Sequence, residues 1–430
     1  MPTASEVHQG QDGVRITIIG GGIAGLATAI ALRSPTRTIT VLERSEMLKE
    51  TGALISLQPN ASKIVSSWGL APFLGLCEPL VDTAFRMFNQ SGKLVRQVNL
   101  DFARFGADRV LYHRQDLHTA LKNAATSTDL PGCPVEIRTA SRVTSCDPYK
   151  GTVTINGGET LDADIVIGAD GIHSVVRQAV VGEPREAIPT GISAYRMLLP
   201  VESLSGLKIP KDVLDIAKPV TTMVVGHDRR VIMGPGRGGK VFGIVALVPD
   251  ENMHETSAAG SWVAQGSIPA LLKAFAGFPA WMLEIFERAP DVGLWQLRDI
   301  DPLPRWVRGR TILIGDAAHA MLPTQGQGAS QSFEDAEALQ AFLADLPDGP
   351  TGQQVNEALL RVYEARHERA SLIQMYSREQ ARPGTDVGSN KVKLDPAQFM
   401  KYNCNYSGAK NWLAAKDMGI VVEKLSLSGV

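Results

Sequence analysis

The chain has 430 residues, 44% of them hydrophobic, enough for two or three domains around a large core. Its 43 basic and 45 acidic side chains leave a formal charge of −2, which gives little purchase on nucleic acid or an anionic membrane surface. Cys77, Cys133, Cys146 and Cys404 are widely spaced with no CxxC pair, so no disulfide framework and no metal site is expected, and a reducing, cytoplasmic setting is. The first 14 residues are polar and no apolar run approaches 18 residues, so neither a secretory signal nor a transmembrane helix is expected.

Ile16, Ile18 and Ile19 form a β-branched run that predicts a buried strand. Gly20, Gly22 and Gly25 follow as GxGxxG. Ile23, Leu26, Ala27, Ile30 and Ala31 then recur at helical spacing, and Thr38–Leu42 is a second β-branched run closed by Glu43. A strand, a glycine-rich turn, a helix and an acid after the next strand make a dinucleotide site: the glycines admit a pyrophosphate and the acid accepts from a ribose. An acid at position 43 disfavours a 2′-phosphate there, but leaves NAD and FAD both open.

Pro59-Asn60 predicts a helix start with Asn60 near its cap. Residues 81–104 alternate around Asn89-Gln90-Ser91-Gly92 as a hairpin, 113–126 read as a helix, and 134–169 as a meander ending in a buried strand. That strand, Ile165–Ile167, runs into Asp170-Gly171 and a helix carrying Arg177. Residues 186–300 are short apolar runs split by Gly and Pro, a mostly antiparallel second layer closed by helices. Ile312–Ile314 returns to the first style and ends in Gly315-Asp316. A loop with Pro323, Gly326, Gln327 and Gly328 then opens a helix containing Glu334 and Asp335. Residues 352–380 predict a long amphipathic helix, and the chain from 381 on is less regular. The fold class is therefore α/β, with a nucleotide domain from 14–80, 105–185 and 296–350, a second domain from 81–104 and 186–295, and a helical segment over 351–430.

Together GxGxxG, DG and GD, in that order, resemble the single-component FAD-dependent aromatic hydroxylases, the group A flavoprotein monooxygenases. The texture is most similar to salicylate-hydroxylase-like and fungal secondary-metabolite members. The resemblance implies a glutathione-reductase-type FAD-binding domain (a parallel sheet with ββα layers), a mostly antiparallel β-sheet substrate domain and C-terminal helices. It implies non-covalent FAD, and NAD(P)H as a transient co-substrate beside O₂ and a small aromatic molecule. By it Gly20, Gly22 and Gly25 approach the pyrophosphate and Glu43 the ribose. Gly52 and Ala53 run near the flavin, with Leu54 where a second glycine is common. Arg114 contacts FAD, and Asp170 with Arg177 matches a motif tied to FAD and NAD(P)H. Asp316 bonds the ribityl chain, and Pro323 to Ala329, with Gly326 and Gly328, lies against the isoalloxazine. His319 reads as a packed structural residue rather than a base.

The resemblance further implies that NAD(P)H reduces the flavin, O₂ forms a C4a-hydroperoxide, and an electron-rich ring takes its distal oxygen, giving hydroxylation or epoxidation. Arg196 in GISAYRMLLP is the candidate catalytic and substrate-binding residue. Gly234 stands where many relatives carry a tyrosine, with Pro323 and Arg237 as further substrate contacts. The missing tyrosine points from simple hydroxybenzoates towards a larger, less anionic substrate of secondary metabolism, such as a polyketide aromatic or an indole. Alternatives are a salicylate-type, decarboxylating or catabolic hydroxylase, and a flavin redox protein that does not hydroxylate. A halogenase fits less well, because Trp295 is followed by Gln-Leu and no WxWxIP occurs.

Overall fold

A computed structural model describes residues 13–46, 53–250, 263–381 and 396–417. The first strand, Val14–Ile19, is buried along nearly its whole length, which suits a parallel strand covered on both faces. It lies between Arg37–Leu42 and Ile165–Gly168, in parallel to both, with Ile16 opposite Ile39 and Ile165. Thr311–Leu313 adds a further parallel strand beyond Ile165–Gly168, and Glu136–Arg138 one beyond Arg37–Leu42. Val307–Arg308 closes the six-stranded sheet in antiparallel sense. The three motifs all follow from this sheet, since each begins where one of its neighbouring central strands ends. The helix Ile23–Ala31 packs on two others, Arg114–Thr126 and Gly328–Leu343.

A second sheet has eight strands, in the order 263–265, 293–299, 188–200, 241–249, 230–236, 220–225, 84–89, 94–99. All neighbours are antiparallel except Val220–Val225 with Ala84–Asn89, so the 81–104 hairpin extends the sheet built by residues 188–299. Alternation gives this sheet two faces. Tyr195, Met197, Ile244 and Ala246 turn outwards into a core with Phe275, Ile285 and Phe286 of the helical stretches Ile268–Ala274 and Ala280–Glu287. Ala194, Leu247 and Leu297 turn inwards and meet Leu322, just before the Pro323 loop. The inner face therefore lies against that loop.

The long helix is Gly352–Glu379, opened by a Thr351/Gln354 capping box. The irregular tail holds two further helices, Pro396–Cys404 and Ala409–Asp417. Their sequences lack a long period; they are ordered by packing, with Tyr402, Tyr406 and Trp412 gathered round Arg369 of the long helix. Asn60 does not cap its helix: Gln58 is the N-cap residue, and Asn60 is fully buried with its amide directed to Gln327 and Glu334. Among the described residues no helix is long and apolar enough to cross a membrane.

Candidate active site

The motif glycines divide into two kinds. Gly20 has φ +107°, and a Cβ there would lie 2.3 Å from the Ala169 carbonyl oxygen. A Cβ on Gly25 would lie 1.9 Å from the Gly20 carbonyl oxygen. Both are glycine because backbone passes too close for anything else. Gly22 differs: a Cβ there would meet nothing within 4 Å. Gly22 is the N-cap of Ile23–Ala31, which starts with neither a side-chain cap nor an acidic residue in its first turn. The first-turn N–H groups and the positive helix end thus face open space, the arrangement that takes a pyrophosphate.

Glu43 sits beside them. Its carboxylate accepts from the Gly21 and Ser45 N–H groups, each at 2.8 Å, which fixes it while leaving lone pairs for a hydroxyl. The buried His118 ring bonds the Gly21 carbonyl at 2.8 Å, a support for the turn that no motif signals.

The GD turn is pressed on the same helix. Gly315 has φ +55°, and a Cβ there would approach Ala24 Cβ to 2.8 Å. Asp316 is exposed although Ala317, Ala318 and His319 after it are buried, so its carboxylate is offered outwards. Arg177 is buried and donates to the carbonyl oxygens of Asp316 and Ala317, at 2.9 and 2.8 Å, and to that of Ile172 at 2.9 Å. Asp170 accepts from Ser174 Oγ at 2.5 Å and from the Val175 N–H at 2.7 Å. Burial pushes the Asp170 pKa up, against the pull of those bonds. The structure thus places Arg177 as a tie between the DG and GD turns, and Asp170 as a brace at the start of its own helix.

The loop beyond is glycine-rich for two reasons again. Gly326 has φ +60° and packs by Ser56 and Gln58, whereas a Cβ on Gly328 would meet nothing within 4 Å. Gly328 opens a 16-residue helix that carries no side-chain cap. Ala329 is half-buried and Pro323 exposed. Across from them the Ala53 carbonyl accepts the Arg114 N–H at 2.8 Å; Gly52 lies outside the described residues. Leu54 fills a notch in the large sheet, since Cβ atoms on Gly236 and Gly243 would come within 2.4 and 2.5 Å of its side chain.

Arg196 lies on the inner face. Strand register sets it opposite Gly293. The Trp295 ring lies over Gly293, where a Cβ would clash at 2.2 Å, and the Arg196 guanidinium stacks on that ring, 4.9 Å from its centroid. Burial lowers the Arg196 pKa and the charge of Arg114 lowers it further. No carboxylate pairs with Arg196 among the described residues. Trp295 was not legible as a site residue in the sequence, because its strand, Gly293–Asp299, pairs with Ile188–Pro200 across a long separation in the chain.

Gly234 shares the inner face. Its φ is not positive and a Cβ would sit 3.5 Å from the Val220 carbonyl oxygen, an ordinary contact, so packing does not require glycine here. Arg237 directly follows the same strand, Arg230–Gly236, and has a carboxylate partner. It forks onto Asp116, at 2.6 and 2.7 Å, holding that carboxyl below its usual range. His319 is buried and bonded to Asp335 at 2.7 Å. Among the described residues no group of three or more His, Cys, Asp or Glu could hold a metal ion.

These residues fit FAD: open glycine cradles at Gly22 and Gly328, acids for hydroxyls at Glu43 and Asp316, and an inner sheet face opposite. Comparison with known proteins agrees. A family model described as FAD binding domain matches residues 13–264 and 284–376. The chain is 32% identical over 394 residues to the FAD-dependent monooxygenase cfoG of Aspergillus candidus, covering 90% of each chain. It is 32% identical to hispidin-3-hydroxylase of Neonothopanus nambi, covering 86% of this chain and 89% of that one. A solved salicylate hydroxylase substrate complex superposes with a TM-score of 0.77 at 26% identity, covering 94% of this chain and 98% of that one.

Proposed function

We infer the function from one premise: the chain belongs to the FAD binding domain family and is an FAD-dependent monooxygenase. We propose that NAD(P)H visits as the reductant and that O₂ supplies one oxygen atom to an aromatic or otherwise electron-rich small molecule, by the route the sequence resemblance implies. Bound FAD supplies the electron transfer and oxygen activation; the chain supplies the positions. In this reading Gly20, Gly22 and Gly25 line the pyrophosphate, Glu43 and Asp316 accept from hydroxyls, and Gly326, Gly328 and Ala329 present backbone to the ring system.

The observation that carries the substrate side is Arg196, stacked on Trp295 with no acid beside it. A guanidinium set in a low-dielectric cleft is stabilised by an oxygen acceptor, and a substrate oxygen would provide one. Arg114 adds a second positive charge to the same cleft. Gly234 leaves width, so a fused or substituted aromatic with one acidic or carbonyl oxygen suits the site better than a small hydroxybenzoate. Such compounds belong to secondary metabolism, the setting the sequence resemblance implies. In this reading the reductant lands near His173, whose pKa is lowered by burial and by the charges of Arg44, Arg177 and Arg298. That positive ground suits the phosphates of a nicotinamide dinucleotide.

The test is NADPH and NADH consumption by FAD-loaded protein in air, across hydroxybenzoates, polyketide phenols and indoles, with peroxide quantified. Acceleration by one class with little peroxide supports the proposal. Yellow protein that ignores every class while oxidising NAD(P)H slowly to peroxide would favour the flavin redox reading.

A further inference from the structure

Behind the two turns assigned to FAD lies a fully buried set of charges on two helices. Glu334 and Asp335 are neighbours on Gly328–Leu343, and Arg366 and Arg369 lie one turn apart on Gly352–Glu379; none of the four is more than 1% exposed. The charges balance, but burying four ions is costly unless each is closely bonded. All are. Arg366 Nε donates to Asp335 at 3.0 Å while one Nη donates to Glu334. Arg369 forks onto both Glu334 oxygens, each at 2.7 Å, and donates to the carbonyl oxygens of Tyr402 and Asn403.

The two acids diverge towards different turns. Asp335 Oδ2 accepts the Gly315 N–H at 2.9 Å, directly behind Asp316. Glu334 Oε1 accepts from Asn60 at 2.6 Å and from Gln331 at 3.2 Å. Those two amides also donate to Gln327 Oε1, at 3.1 and 3.2 Å, between Gly326 and Gly328. Among the described residues Arg366 is thus the one side chain that holds both acids, and a second Nη donates to Gln331 at 2.7 Å. Lysine could not span the two, because it brings a point charge in place of a planar fork.

We propose that Arg366 is a positioning residue for the flavin. It sets the distance between the GD turn and the Gly326–Gly328 loop, and so the fit of both to one bound ring system. This rests on the assignment of FAD to those turns. It assigns a functional purpose to charges that stability alone does not call for, since apolar replacement of buried ion clusters is often neutral or stabilising.

The experiment uses the full chain and four proteins: wild type, Arg366→Lys, Asn60→Ala and the surface control Arg361→Ala on the same helix. Asn60→Ala removes the shorter of the two amide bridges in the loop arm and no charge, so it decides the matter should Arg366→Lys fail to fold. FAD affinity is read by flavin fluorescence. At saturating FAD, the visible spectrum and the flavin midpoint potential are read, which a merely structural role would leave unmoved. The expected result is at least tenfold weaker FAD binding with an altered spectrum and potential in Arg366→Lys and in Asn60→Ala, against an unchanged Arg361→Ala. Folded Asn60→Ala with wild-type affinity, spectrum and potential overturns the proposal. Wild-type protein that binds no FAD would instead remove the assignment beneath it.

Discussion

Arg366 stands behind the Gly326–Gly328 loop, joined to it through Glu334 and Gln331, and Arg196 stands on the inner face of the large sheet. Arg366 is enclosed between Glu334 and Asp335 with every donor aimed at protein. Arg196 rests on an indole, with no acid paired to it among the described residues. The same side chain is thus enclosed by carboxylates of the fold at position 366 and, on our proposal, left to take a substrate oxygen at position 196. The glycines repeat the contrast: Gly20 and Gly25 are fixed by close backbone, while Gly22 and Gly328 border open space.

Breaking the enclosed side gives the largest effect. Glu334→Ala leaves Arg366 and Arg369 short of an anion, and a loss of about 3–5 kcal/mol of stability is expected, in line with orphaned buried charges; denaturant unfolding measures it. A loss within the range of a surface substitution would mean that the cluster is not tightly coupled. Breaking the open side leaves the fold alone. Arg196→Met is expected to unfold and bind FAD as wild type does, yet to lose about tenfold to hundredfold in substrate-stimulated kcat/KM, the worth of a charge-assisted hydrogen bond. Unaltered kcat/KM would remove Arg196 from the site.

Acid sharpens the contrast. Burial opposes the Asp335 charge, but His319 and Arg366 outweigh it and hold the carboxyl at about 2, below its ordinary 3.8. A depressed carboxyl stabilises the fold above its unfolded pKa, and that contribution fades as pH falls from 3.8 towards 2. At 1.36 kcal/mol per pKa unit this is on the order of 2 kcal/mol. The stability gap between wild type and Asp335→Asn should hold steady from pH 8 to pH 5 and close below about pH 3. A gap independent of pH throughout would show that the carboxylate charge is not what counts.

The smallest effect separates the glycines. Gly22→Ala should leave apo-protein melting within about 2 °C of wild type while weakening FAD about tenfold, some 1.4 kcal/mol. Gly25→Ala should lower melting of the apo-protein as well. Equal behaviour of the two would erase the distinction drawn from their surroundings.

The sequence disclosed the parts of this arrangement that depend on neighbours in the chain. β-branched runs ending in glycine place all three motifs at strand ends, because strand period and turn chemistry are local. It also showed the inserted sheet, whose short apolar runs differ in texture from the parallel strands. It could not show that Asn60, Gln327, Glu334 and Arg366 form one network, since they come from four separate stretches and each has an ordinary local role. Nor could it show that Arg237 is taken by Asp116, or that Gly293 is vacant so that Trp295 can lie flat beneath Arg196. The tail was expected to be helical only as a whole; the bounds of its two helices, Pro396–Cys404 and Ala409–Asp417, could not be read because they pack on Arg369 and have no long period of their own.

The central claim is that one oxygen atom of O₂ enters the substrate. The direct measurement is turnover of the best-accelerating aromatic under ¹⁸O₂ with NAD(P)H, followed by mass spectrometry of the product. One labelled oxygen per product molecule, with one NAD(P)H consumed for each, is the predicted result. Unlabelled product, or label recovered only as hydrogen peroxide with the aromatic unchanged, would contradict it.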